Sequence, residues 1–245
     1  MFLRLKPFLY SLVFLLSLEL ISFRADLVFL IAVIFFFISL FTGKKLGGRW
    51  LFSILPAFFT IFSVALLYLI SDFTEQQIFI LLAFFMYYLA CLGAFRLGEY
   101  KGDLTARGMI MAASMATIFF AFTASYGFYL NFLVPLYSLM IVYLVVALLV
   151  SYQYFRIIND NKKSVWIYSF LLALIMAELI WTMDFWPFGY LTTGVIALIL
   201  YYVLWDLAQS YFLNLLSRKR VVANMVFFSV LIILVLLSSK WLPVI

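Results

Sequence analysis

Three carboxylates, Glu19, Glu178 and Asp206, stand inside stretches of sequence that are otherwise apolar. A charge at the centre of a membrane span costs roughly 2.5–3.5 kcal/mol on insertion scales. A carboxylate there is therefore a functional candidate by default, as proton site, cation site or counter-ion. A fourth, Asp184, follows Glu178 in "MAELIWTMDFWPFGYL", residues 176–191, with Trp181 and Trp186 around it and Pro187 and Gly189 behind. Two readings of this stretch stay open. In the favoured one, Trp181 and Trp186 are interfacial anchors of a helical hairpin that turns at Pro187 and Gly189. In the other, Glu178 and Asp184 form a shallow outward-facing mouth that binds a cation, an amine headgroup or Arg24.

Depth separates the candidates. At 1.5 Å per residue, Glu178 lies only about 7 Å inside the boundary near Met183, and Glu19 lies nearer still to its own boundary. Both can lean toward the interface, where the cost falls. Asp206 is deeper: with its span centred near residue 200 it sits about 9 Å from the middle. It shares a helical face with Tyr202, Gln209 or Ser210, and Asn214. That face meets a neighbouring helix or a wet cavity, as a proton or cation site. The alternative is that the chain leaves the membrane near Gln209 and "AQSYFLNLLSRKR" lies along the interface as an amphipathic extension.

The elements that position these residues follow from composition. The chain has 245 residues, 69% of them hydrophobic and 11% charged, with a mean hydropathy of +1.22. Soluble domains carry roughly 25% charged residues. Lipid cannot satisfy backbone N–H and C=O groups, so such a chain crosses it as helices or a closed barrel. Segments such as "LFSILPAFFTIFSVALLYLIS" are apolar on every face, which excludes the alternating pattern of a barrel. Nine spans are expected, at about 8–22, 26–42, 51–71, 77–95, 107–126, 130–152, 165–183, 190–213 and 221–239.

The connections alternate. One side holds Arg4, Lys6, Lys44, Lys45, Arg49, Arg96, Lys101, Arg107, Arg156, Lys162, Lys163, Arg218, Lys219 and Arg220, which are 14 of the 16 bases; the other holds Arg24 and Lys240. Short cytoplasmic loops accumulate Lys and Arg. The expectation is an all-α polytopic transmembrane bundle with its N-terminus cytoplasmic and its C-terminus outside. The net charge of +6 then reflects topology and not a nucleic-acid partner. The first segment starts like a signal peptide, but "SFRAD" follows it in place of an A-x-A-like site, so it is expected to be retained. No loop exceeds about a dozen residues, which leaves residues 1–245 as a single integral membrane domain.

Much chemistry is closed to this sequence. There is no histidine, which removes histidine-based zinc sites and serine–histidine triads. The single cysteine, Cys91, falls within a span and cannot form an intramolecular disulfide. No phosphate loop, H-E-x-x-H or G-x-S-x-G occurs. "GDLTARG", residues 102–108, looks like a fragment of the CDP-alcohol phosphotransferase signature. Gly102 and Asp103 stand in reverse order, however, and the next helix carries no acid, so the match is rejected. Its plainer reading is a loop whose Asp103 or Thr105 caps the fifth helix. No metal or cofactor is expected.

Two further patterns bear on packing. The fifth span has two rows of small residues, Gly108/Ala112/Ala116 and Ala113/Thr117/Ala121/Ser125, which suit close approach of helices in lipid. "LSLELIS" and "IMAELIW" echo one another near the outer ends of the first and seventh spans. In so Leu-, Phe- and Ile-rich a chain, this does not establish a repeat.

The leading functional expectation is a non-catalytic subunit or scaffold of a membrane assembly in a bacterial inner membrane. Its partners are the bilayer and either another membrane protein or further copies of itself. The runner-up is a small-solute or lipid carrier using Asp206 or the Glu178/Asp184 mouth. Third is an enzyme on a lipid-linked substrate, with basic loops such as "SRKR" gripping phosphate.

Overall fold

The computed structural model describes residues 5–24, 26, 28–132 and 134–239, with the Arg220 side chain outside that description. Arg4 and Lys240, two of the bases assigned to opposite sides, also lie outside it. Among the described residues nine helices are long and apolar enough to cross a membrane. They are α1 (Leu5–Phe23), α2 (Val28–Gly47), α3 (Ile54–Leu69, of spanning length together with the 3₁₀ turn Trp50–Ser53 that leads into it), α4 (Phe73–Glu99), α5 (Leu104–Phe132), α6 (Leu136–Ile158), α7 (Lys162–Met183), α8 (Tyr190–Phe212) and α9 (Arg218–Ser238). The protein is an all-α, multi-pass integral membrane protein.

Local chemistry sets the ends. Asp72 caps α4 by accepting from Thr74 N–H at 2.9 Å, and Asp103 caps α5 by accepting from Ala106 N–H at 3.0 Å. Between α7 and α8 the chain turns through residues 184–189, which hold Pro187 and Gly189. α4 and α5 outrun their expected spans: α4 alone has 27 residues, or about 40 Å of helix against a hydrocarbon core of about 30 Å. Hydropathy finds the apolar stretch, whereas α4 and α5 continue through flanking polar residues such as Glu75, Arg96, Glu99 and Arg107. α8 ends at Phe212, where Asn214 takes a left-handed φ of 55°. α8 thus continues three residues past Gln209 and then turns at residues 213–214, so "AQSYFLNLLSRKR" does not run on as one amphipathic helix.

The chain forms two compact units, residues 1–121 and 122–245, with α5 contributing to each. In the first, α1 packs on α4 and α2 on α3. Phe14 stacks on Tyr87 with ring centroids 4.4 Å apart, and the Tyr87 and Ser39 hydroxyls share a hydrogen bond of 3.0 Å between α4 and α2. In the second unit α6 packs extensively on α7. Tyr143 stacks on Phe122 at 3.9 Å and donates to its carbonyl at 3.0 Å. Ala113, Thr117 and Ala121 are buried and Gly108 is exposed, so one small-residue row of α5 makes the close contacts. Cys91 is a free thiol with no exposed surface. N-ethylmaleimide is expected to label it only as the first unit unfolds; rapid labelling of folded protein in nanodiscs would contradict this packing.

Candidate functional site

Asp206 is the most enclosed of the carboxylates considered above, at 7% exposure. Three helices shape its surroundings. On α8, Tyr201 bonds Ser151 of α6 at 2.8 Å, and Trp205 packs on Tyr154 of α6 with centroids 4.7 Å apart. From α9, Phe228 meets Tyr202 at 5.1 Å, and the Asn224 amide donates to Asp206 Oδ2 at 2.5 Å. Asp206, Gln209 and Ser210 share a face because residues three and four apart align on a helix.

This neighbourhood holds more polar atoms than the described protein satisfies. Trp205 Nε1, Gln209 Oε1 and Ser210 Oγ are all buried without a hydrogen-bond partner among the described residues. A buried polar atom left unpaired costs roughly 1–3 kcal/mol, and native interiors tolerate few of them. Three fall within the six residues 205–210, on the helix that carries a buried carboxylate, and water or a polar ligand can complete them.

The remaining candidates are dispersed. Glu178 is exposed, on the same outward stripe of α7 as Leu171, Leu174, Ile175 and Trp181. Asp184 is partly buried and accepts a hydrogen bond from Tyr129, with Tyr126 close enough to feel its charge. The two acids of the expected mouth thus face different surroundings. Trp181 is 51% exposed and meets Phe185 edge-on at 5.7 Å, while Trp186 meets Phe188 at 6.0 Å. Glu19 accepts from Gln77 of α4 at 3.1 Å beside a shallow groove of about 340 Å³, so it bridges α1 and α4. Arg24 is exposed at the end of α1, in the first unit.

Sequence reasoning missed Asn224, Gln77, Tyr126 and Tyr129 as partners. An amide in "RKRVVANMVFFSV" was the available signal for Asn224. It also missed the ion pair of Arg96 Nε with Asp103 Oδ2, 2.7 Å long. The Ala106 N–H, and then Arg96, hold the Asp103 carboxyl below the usual carboxylate range. A depressed value means that this cap and ion pair contribute at neutral pH and fail only as acid protonates Asp103. No group of three metal-ligating side chains converges among the described residues.

Residues 41–238 match the family model described as "Protein of unknown function (DUF5656)". The chain belongs to this family. The match runs from the end of α2 through α9, so Asp206, Asn224, Glu178, Asp184, Trp181 and Trp186 lie within the DUF5656 region, and Glu19 and Arg24 precede it. No curated protein and no solved structure matches the chain.

Proposed function

We propose that the protein is a small-solute carrier of the bacterial inner membrane whose charged site is Asp206. In this reading residues 1–245 act as one membrane-embedded domain, with the N-terminus in the cytoplasm and the C-terminus outside. The observation that carries it is a buried carboxylate, bonded by Asn224, with the buried, unpartnered polar atoms of Gln209 and Ser210 on its own helical face and that of Trp205 beside it in sequence. A carboxylate among such atoms can hold a proton or small cation through water, and intramembrane acids of this kind mark ion and proton pathways. The test is purified protein in liposomes enclosing a pH-sensitive dye, under imposed sodium, potassium and proton gradients. Wild type is expected to move protons or cations above the protein-free leak, and Asp206→Asn to return to that leak. A wild type no faster than empty liposomes, or an unaffected variant, would reject the assignment.

The sequence-based lead, a subunit of a membrane assembly, keeps one specific support. Glu178 stands on an outward apolar stripe of α7, where a partner helix supplying a donor would shield it better than lipid does. Native mass spectrometry from nanodiscs tests this reading. A stoichiometric partner or second copy that Glu178→Leu releases supports it, and a monomer in both cases removes it.

A further inference from the structure

The end of α4 carries a second constellation, distinct from Asp206. Tyr88, Leu92, Phe95, Arg96 and Glu99 fall on one helical face, and with Tyr100 and Asp103 they line a cleft of about 360 Å³. That volume is room for about a dozen waters. Arg96 is held by its Nε, which donates to Asp103 Oδ2 at 2.7 Å. Its two terminal nitrogens have no acceptor among the described residues, and Glu99 forms no ion pair there. Asp103 is itself fixed by capping α5, so the guanidinium is oriented before any ligand arrives. The Tyr100 ring lies against Gly102, where an added Cβ would come within 2.9 Å of it. An aromatic wall is thereby set beside the charges.

Position says what kind of ligand meets this cleft. α4 is about 10 Å longer than the hydrocarbon core, so its terminal turns reach headgroup level. Below Arg96 the same side of the helix continues through Leu92, Tyr88, Phe85 and Leu81, with Phe85 and Leu81 both exposed. From Arg96 to Phe85 is eleven residues, or about 16 Å of apolar helix along which an acyl chain can lie. Guanidinium groups with free N–H forks bind phosphate oxygens. A carboxylate such as Glu99, one turn nearer the aqueous end, can accept from an ammonium.

We propose that this cleft binds a zwitterionic phospholipid headgroup, with phosphate on the Arg96 fork, a primary ammonium on Glu99, and acyl chains along Leu92, Phe85 and Leu81. The order of the charges follows membrane depth: phosphate beside the inner residue and amine beside the outer one, as the two carbons of an ethanolamine phosphate place them. The lipid occupies the leaflet next to the basic loops.

The experiment uses the full chain in nanodiscs holding equal amounts of phosphatidylethanolamine, phosphatidylcholine and phosphatidylglycerol, with retained lipid read by native mass spectrometry. Wild type is expected to keep one ethanolamine lipid in about tenfold preference, the size of one charge-assisted contact. Glu99→Gln should bind ethanolamine and choline lipids alike. Arg96→Gln should retain neither, and thermal unfolding checks that it still folds. If Arg96→Gln does not fold, Glu99→Gln decides alone, because Glu99 has no structural ion pair to lose. Inorganic phosphate added in excess should displace nothing. Displacement by phosphate, equal retention of all three lipids by wild type, or an unchanged preference in Glu99→Gln overturns the proposal.

Discussion

Gly43→Ala is expected to destabilise the protein by about 3 kcal/mol, the upper end of what overpacking a closed site costs. The reason is backbone, not side chain. Gly43 is buried on α2 against the short 3₁₀ turn Trp50–Ser53, and a Cβ there would come within 2.5 Å of the Phe52 carbonyl oxygen and of Ser53 Cα. A flexible side chain could swing away; these atoms cannot. The turn is pinned from both ends. Ser53 Oγ donates to the Leu40 carbonyl at 2.6 Å, and Lys44 Nζ stands 4.1 Å from the centre of the Trp50 ring. Gly48, at φ +69°, supplies the left-handed residue that lets the chain double back after α2. Gly108→Ala is the matched control: it is helical, and its added Cβ meets nothing within 4 Å. It should be neutral or stabilising by up to about 1 kcal/mol, since glycine inside a helix costs that much relative to alanine. Thermal unfolding of both variants in nanodiscs, followed by tryptophan fluorescence, separates them. Equal midpoints would mean that α2 and the turn are not in backbone contact.

The same residues show how far the sequence could be read. The succession of nine apolar helices among the described residues was legible because apolar length and the distribution of bases report directly on lipid. The α7–α8 turn was found to within a residue because Pro187 and Gly189 mark it. The helix ends of α4 and α5 were not, because headgroup-level helix is stabilised by caps and aromatics that hydropathy does not register. Side-chain partnership was the least visible. Both small-residue rows of α5 fit close packing equally well on paper, and only the fold says that Ala113, Thr117 and Ala121 are enclosed. Glu178 and Asp184 allowed a shared mouth as the less favoured reading because both lie near the outer end of one span; α7 ends between them, and each side chain takes its own surroundings. Asn224 was hidden for an energetic reason: an amide in a span is cheap enough to occur without a partner, so its presence alone points nowhere.

Replacing Asp206 and Asn224 together by leucine should leave the protein as stable as wild type or more so, while abolishing any coupled flux. An interhelical hydrogen bond in a membrane protein contributes about 0.6 kcal/mol on average, whereas a carboxylate inside a span costs up to about 2.5–3.5 kcal/mol at the centre, and less at the depth of Asp206, about 9 Å from the middle. The Asp206–Asn224 contact therefore does not repay the carboxylate it contains, and exchanging buried polar pairs for well-packed apolar ones is commonly neutral or stabilising. Asp206→Leu alone should be worse than the pair, because it strands the Asn224 amide that now donates at 2.5 Å. On the carrier reading proposed above, a group that weakens the fold is retained for its work on a proton or an ion. The double variant puts the two explanations on opposite sides of one measurement. A higher or unchanged midpoint with no flux assigns Asp206 to function; a large fall in midpoint makes the pair structural glue between α8 and α9, and the carrier reading falls with it.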